Sequence, residues 1–454
     1  MNKRISLLAS SIFLISSMMY GADADLSKIH SYAGKSKPVT GIVQQAIDYC
    51  SNTGGGTVTI PLGEYITGAL VLKSGVELHL SAGCVLKGST NHPDDYAAGR
   101  GVISAKGAHN CSVTGLGTID GQGQHENFQR YGNNQGNRPH ALFFEDCTDV
   151  TVKDVYIRNA AWWSFRLFRC DGVTIDNVKV YSHAIVNNDG IDIDARNVTV
   201  SNCRIDSDDD GICLKSDDPD FLPENIAITN CVIGSNCNPI KLGTSGYCGF
   251  RNISVSNCVI HRPAESNVWN WSKEYREVEP GELTGLAGIA VESVDGGNLE
   301  NVQFSNITMT GVITPIFVCL NGRHGVGTLR NVTFENITAQ TTGIIPTLIS
   351  GVPGGIIDGI TMRNIVVESK GRGTAQDAST NLPENLNGYP ENRMYGHSNP
   401  AHGLYIRHAK NVSVDNFRIN LKDEDARPAA VLVDVENADI EKLSTNGDKS
   451  IVKK

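Results

Sequence analysis

The sequence has little charge, few aromatic residues and no tract dominated by one sign. Of its 454 residues 19% are charged and 6% aromatic, with 39 Lys+Arg against 49 Asp+Glu. A net charge of −10 and the lack of any basic tract exclude a general surface for DNA or RNA, which is held through clustered Lys and Arg. No 3.6-residue periodicity recurs along the chain, which excludes a helical bundle, a coiled coil or a helical solenoid. Beyond the first two dozen residues no apolar run approaches the ~20 that a membrane-spanning helix needs, so no membrane insertion is expected. What the chain does have is 47 glycines spread among steady Val, Ile and Asn. Length alone points to about three domains, but this composition points to one long repetitive element.

Lys3 and Arg4 precede an apolar stretch from Leu7 to Met19, and Gly21-Ala22-Asp23-Ala24 supplies small residues. That is the layout of a secretory leader. Residues 1–24 are expected to be a signal peptide and 25–454 a single domain, exported to a periplasmic or extracellular location. Twelve cysteines in an exported chain would ordinarily indicate a disulfide framework. Cys203, Cys231 and Cys258, however, close the near-identical phrases VTVSNC, IAITNC and ISVSNC. Thiols in one register of a repeat are expected to stack as small buried hydrophobes.

The repeat is an Asn-, Asp- or Gly-led strand of alternating apolar and polar residues. Its first apolar position falls at 150, 173, 198, 226, 253, 302, 332, 360 and 412. Period-two alternation gives a strand with one buried face, and most spacings suit one turn of a coil of short strands. The two long spacings, 253 to 302 and 360 to 412, are two turns or one turn carrying a loop. The architecture expected is all-β: a single-stranded parallel β-helix, with Asn side chains laddered along it and a short N-terminal capping helix over Thr40–Cys50. Two stretches interrupt the repeat, Arg262–Leu286, with Trp269 and Trp271, and Gly371–His402. Long insertions at one edge of a solenoid usually build its binding face.

Aligning NNDGIDID (187–194), DDDGICLK (208–215) and NPIKLGT (238–244) puts Ile191, Ile212 and Ile240 in one inward column, with Asp192, Cys213 and Lys241 outward. In that register Asp189 and Asp210 are on neighbouring rungs, about 4.8 Å apart, and Asp209 shares their patch. Three carboxylates so close cannot all ionise freely, which makes an acid and a base from one residue type. Glycosidic hydrolysis needs such a pair, and inversion wants ~6.5–9.5 Å between its members, a gap that one or two rungs could supply. A solvated Asp ladder or a calcium site fits the spacing equally.

The motifs resemble those of glycoside hydrolase family 28, the polygalacturonase and rhamnogalacturonan hydrolase family. Residues 44–80 resemble its opening turn, and GLGTIDGQG (115–123) with Arg138-Pro139 its next landmark. NNDGID (187–192) is similar to its Asn-Thr-Asp motif and DDGICLKS (209–216) to its double-Asp motif. The resemblance implies a right-handed parallel β-helix, no cofactor and no metal, a polysaccharide or oligosaccharide substrate of pectin type, and inversion. It implies Asp209 as general acid, with Asp189 and Asp210 activating water, and Asn187, Asn188 and Lys215 as sugar contacts. A monomer suffices for such a fold.

Two family patterns are missing. Cys237-Asn238-Pro239 stands where polygalacturonases carry Gly-His-Gly, and Ala290-Val291-Glu292 where they carry Arg-Ile-Lys. Asn238 and Glu292 are therefore candidate contacts of altered character, with Lys241 and Arg407 as relocated cations. The departures favour a rhamnogalacturonan-type substrate or exo-acting α-galacturonidase over endo-polygalacturonase. A calcium-dependent lyase and a non-catalytic glycan-binding β-helix remain the alternatives at this stage.

Overall fold

A computed structural model describes residues 26–129 and 138–454; the expected signal peptide lies outside the described residues. The nine positions of the repeat form one unbroken column: Val150, Val173, Val198, Ile226, Ile253, Val302, Val332, Ile360 and Val412 pair in succession, each with the next. The two long spacings are thus single turns carrying insertions. Every strand pairing given above is parallel, and the stacked turns enclose one continuous apolar core. The chain is a parallel β-helix.

Its corners explain the asparagines. Asn197, Asn225, Asn252, Asn301 and Asn331 have φ of 54–57°, a left-handed conformation that Asn tolerates better than most residues. Each amide donates to the one below, from Asn225 on Asn197 at 3.0 Å to Asn331 on Asn301 at 3.3 Å. A second ladder climbs through Asn257, Asn306, Asn336, Asn364 and Asn416. Cys203, Cys231 and Cys258 are buried free thiols.

Helix α1 (Thr40–Asn52) buries Val43, Ala46, Ile47 and Cys50 over the first turn, as its i, i+3, i+4, i+7 spacing predicts. Among the described residues two further α-helices, Glu126–Gln129 and Ala375–Ala378, are single turns too short to leave a periodic signal.

Both insertions pack on the outside of the sheet. Trp271, Tyr275 and Val278 of the first lie against Leu286, Ile313 and Ile345. Leu382, Tyr395 and Ala401 of the second lie against Ala290, Phe317, Leu348 and Tyr405. Strand Gly285–Asp295 is in consequence buried at all eleven residues.

Candidate active site

Three turns feed three neighbouring strands and carry the site's polar residues: Asp189 before Ile191–Ser201, Asp209 and Asp210 before Ile212–Ser216, and the amide Asn238 before Ile240–Gly246. The Gly190 N–H donates to the Asp210 carbonyl at 2.8 Å and the Gly211 N–H to the Asn238 carbonyl at 2.9 Å. Glycine is required at both, since a Cβ would stand 2.4 Å from the Gly211 carbonyl oxygen or 2.5 Å from that of Pro239. One carboxylate oxygen from each of Asp189, Asp209 and Asp210 lies within 4.8 Å of the others. This is tighter than the wide gap expected from the sequence, because neighbouring turns keep the groups at about one rung's spacing. Separation therefore gives no argument for inversion.

Two lysines sort the three carboxyls. Lys241 Nζ stands 3.1 Å from Asp210 Oδ2 and 3.8 Å from Glu292 Oε2, and Lys215 Nζ 3.7 Å from Asp189 Oδ2 and 3.4 Å from Asp192 Oδ1. Burial raises Asp210, but Lys241, Lys215 and a 2.8 Å hydrogen bond from Asn238 Nδ2 outweigh it and hold the group below its ordinary range. Burial, then the charges of Asp189 and Asp210, drive Asp209 well above its ordinary value. Burial and Asp192 raise Asp189 as well, against the pull of Lys215. The cluster thus holds a proton and a charge side by side. It is also a donor set for a divalent cation, but two ammonium groups already lie where such an ion would meet their repulsion.

The carboxyls open on a cavity of about 490 Å³ walled by Trp163, Trp269 and, from the second insertion, Asn385, Tyr389, Glu391 and Arg393. The two insertions are tied to each other. Tyr275 Oη donates to Asn392 Oδ1 at 2.8 Å, Arg276 Nη2 to Asp377 Oδ2 at 2.7 Å, and Arg393 Nη1 to Glu274 Oε2 at 3.0 Å.

Of the residues anticipated as contacts, Asn187, Lys215 and Lys241 line the cavity. Asn188 does not. It is fully buried; its Oδ1 accepts from the Ala184 and Ile185 N–H groups, and its Nδ2 donates to the Ala160 and Trp162 carbonyls. Its whole capacity holds the turn that presents Asp189. Arg407 also fails as a relocated cation, because it is buried and donates to Ser350 Oγ and the Leu382 and Pro383 carbonyls, pinning the second insertion. Asn238 positions Asp210 and is buried. Glu292 is enclosed behind Lys241 and accepts from Thr244 Oγ1 at 3.0 Å; burial pushes it up to about 8 against the pull of Lys241. Sequence reasoning missed Trp163, whose ring centroid is 5.0 Å from Lys215 Nζ, and the wall residues from 385 to 394, which sit in no periodic pattern.

The family model described as Glycosyl hydrolases family 28 matches residues 50–264, the stretch holding all three aspartates. That match and the polygalacturonase relatives support a family 28 member at low identity. An exopolygalacturonase of Platanus acerifolia is 24% identical over 325 residues, 66% of this chain and 78% of the relative. An endo-polygalacturonase of Pectobacterium carotovorum subsp. carotovorum is also 24% identical, over 80% of this chain and 93% of its own. Among solved structures, a hyperthermoactive exopolygalacturonase from Thermotoga maritima aligns with a TM-score of 0.63 at 21% identity, covering 77% of this chain and 87% of that one, a likeness of fold. The family match and these relatives support a glycoside hydrolase.

Proposed function

We propose that the protein is an exported, inverting hydrolase of pectin-type chains that works from chain ends, on galacturonate termini or rhamnogalacturonan-type fragments. One observation carries the end-on reading: the outward column changes character beside the site. Arg166, Asp192, Cys213 and Lys241 stack on successive rungs, followed by Ala290, Phe317, Leu348 and Tyr405, and the last four lie in the apolar cluster that the second insertion covers. A groove running along the sheet is blocked on that side.

In this reading Asp209, protonated, gives its proton to the leaving glycosidic oxygen. Asp210, kept ionised by Lys241, takes a proton from the water that attacks the anomeric carbon, and Asp189 helps hold that water. Lys241 on the floor and Arg393 in the wall offer cationic contacts for a uronate carboxylate. Inversion and the right-handed coil rest on the family resemblance, handedness also on the general preference of parallel crossovers. Export rests on residues 1–24.

The test is product analysis on homogalacturonan and rhamnogalacturonan fragments, with wild type and Asp209→Asn. The reading expects monomers or dimers from the outset, a first-formed anomer of inverted configuration by NMR, and loss of release in the variant. Random mid-chain cleavage would overturn end-on action, and full release by Asp209→Asn would overturn the acid.

A further inference from the structure

Behind the Asp209 turn lies a buried ionic group that the hydrolytic step does not use. His183 is 3% exposed, with Nδ1 3.1 Å from Asp208 Oδ1 and Nε2 3.0 Å from Asp206 Oδ1. An ionised carboxylate only accepts and a neutral imidazole has one N–H, so both contacts together require the imidazolium. The same carboxylates hold the start of the first insertion. The Ala264 N–H donates to Asp206 at 3.1 Å and the Asn267 N–H to Asp208 Oδ2 at 3.1 Å. Asn267 Nδ2 donates to the His183 carbonyl at 2.7 Å, and Asn236 Nδ2 to Asp208 Oδ1 at 2.7 Å. The other titratable groups facing this cluster are Tyr181, its ring centroid 4.9 Å from that of His183 and its hydroxyl donating to Glu265 at 2.8 Å, and His261, beside Asp206 across Gly234. Trp269, two residues beyond Asn267, enters the cavity wall, and Asp209 follows Asp208 directly.

We propose that His183 is a positioning residue: bridging Asp206 and Asp208 as an imidazolium, it locks residues 264–267 onto the acid turn and so fixes Trp269 in the wall of the site. The effect on sugar binding rests on the hydrolytic reading; the effect on the insertion does not. Burial lowers the imidazole's affinity for its proton, but Asp206 and Asp208 outweigh it and hold the group up to about 9. A group raised above its ordinary value contributes fully below that value, and its contribution is lost as pH rises through the folded one. The lock is closed at neutral pH and opens on the alkaline side.

Hydrogen exchange read by mass spectrometry on the full-length protein tests this, with wild type and with His183→Gln, which keeps a neutral donor. In wild type, after correction for intrinsic rates, amides of 264–271 should lose about ten-fold protection between about pH 8 and pH 10, while strand Asn298–Gly325 keeps its own. In the folded variant that segment should exchange fast throughout, and KM for a pectic oligosaccharide should rise several-fold with kcat nearly kept. Unchanged protection of 264–271 across the wild-type titration overturns the lock even where the variant does not fold, and so does unchanged protection in a folded variant. The exchange pattern without turnover of any pectic substrate supports the lock and defeats only the hydrolytic reading.

Discussion

The column through Ile191, Ile212, Ile240 and Ile289 and the one beside it, through Asp192, Cys213, Lys241 and Ala290, are a single residue apart on the same strands. All eight side chains are buried. The first column is apolar at every rung because it faces the inside of the coil. The second is polar where it borders the cavity and apolar where an insertion covers it. Burial alone therefore does not mark the site; the change of polarity along one outward column does.

The sharpest way to break the comparison is at its polar end. Asp209→Asn should cut kcat by about 10²–10⁴-fold with the circular dichroism spectrum unchanged, as followed by release of reducing sugar. At the apolar end, Phe317→Ala should cost ~3–5 kcal/mol in urea unfolding, as much as Phe304→Ala inside the coil. A cost near zero at Phe317 would mean that the covered face is no core. Where the two ends meet, Lys241→Gln removes the main cation that keeps Asp210 ionised. The acid limb of kcat/KM should move about 1–3 pH units upward, because the base then gains its proton at higher pH. Asn252→Ala, at a corner remote from both columns, should cost ~1–2 kcal/mol through its left-handed backbone alone, read as a lower Tm. Chelator should leave turnover unchanged; lost activity together with an unsaturated product would favour a calcium-dependent lyase.

The inward column was legible because burial on one face of a strand imposes period two, and nine repeats of that pattern fix the register of every turn between them. The same register carried Asp189, Asp209 and Asp210 to one point. Other parts were not legible. Whether Asn188 faces sugar or its own turn depends on four local backbone groups that no pattern announces. Arg407 is in register with Ser350, Cys319 and Glu292, yet Leu382 and Pro383, from an aperiodic stretch, decide what it bonds. The close approach of the carboxyls depends on how side chains leave their turns, which rung spacing bounds without setting. Tyr389 and Arg393 reach the cavity from an insertion whose path follows from packing on Phe317 and its neighbours.

The ties between the insertions join residues far apart along the chain, Tyr275 to Asn392 and Arg276 to Asp377. A chain still being synthesised, or one cut short before residue 371, has its three aspartates on their turns and lacks half the enclosure around them. Competence at this site is thus a property of the finished coil, reached only when the late turns have been laid down and the two insertions have met.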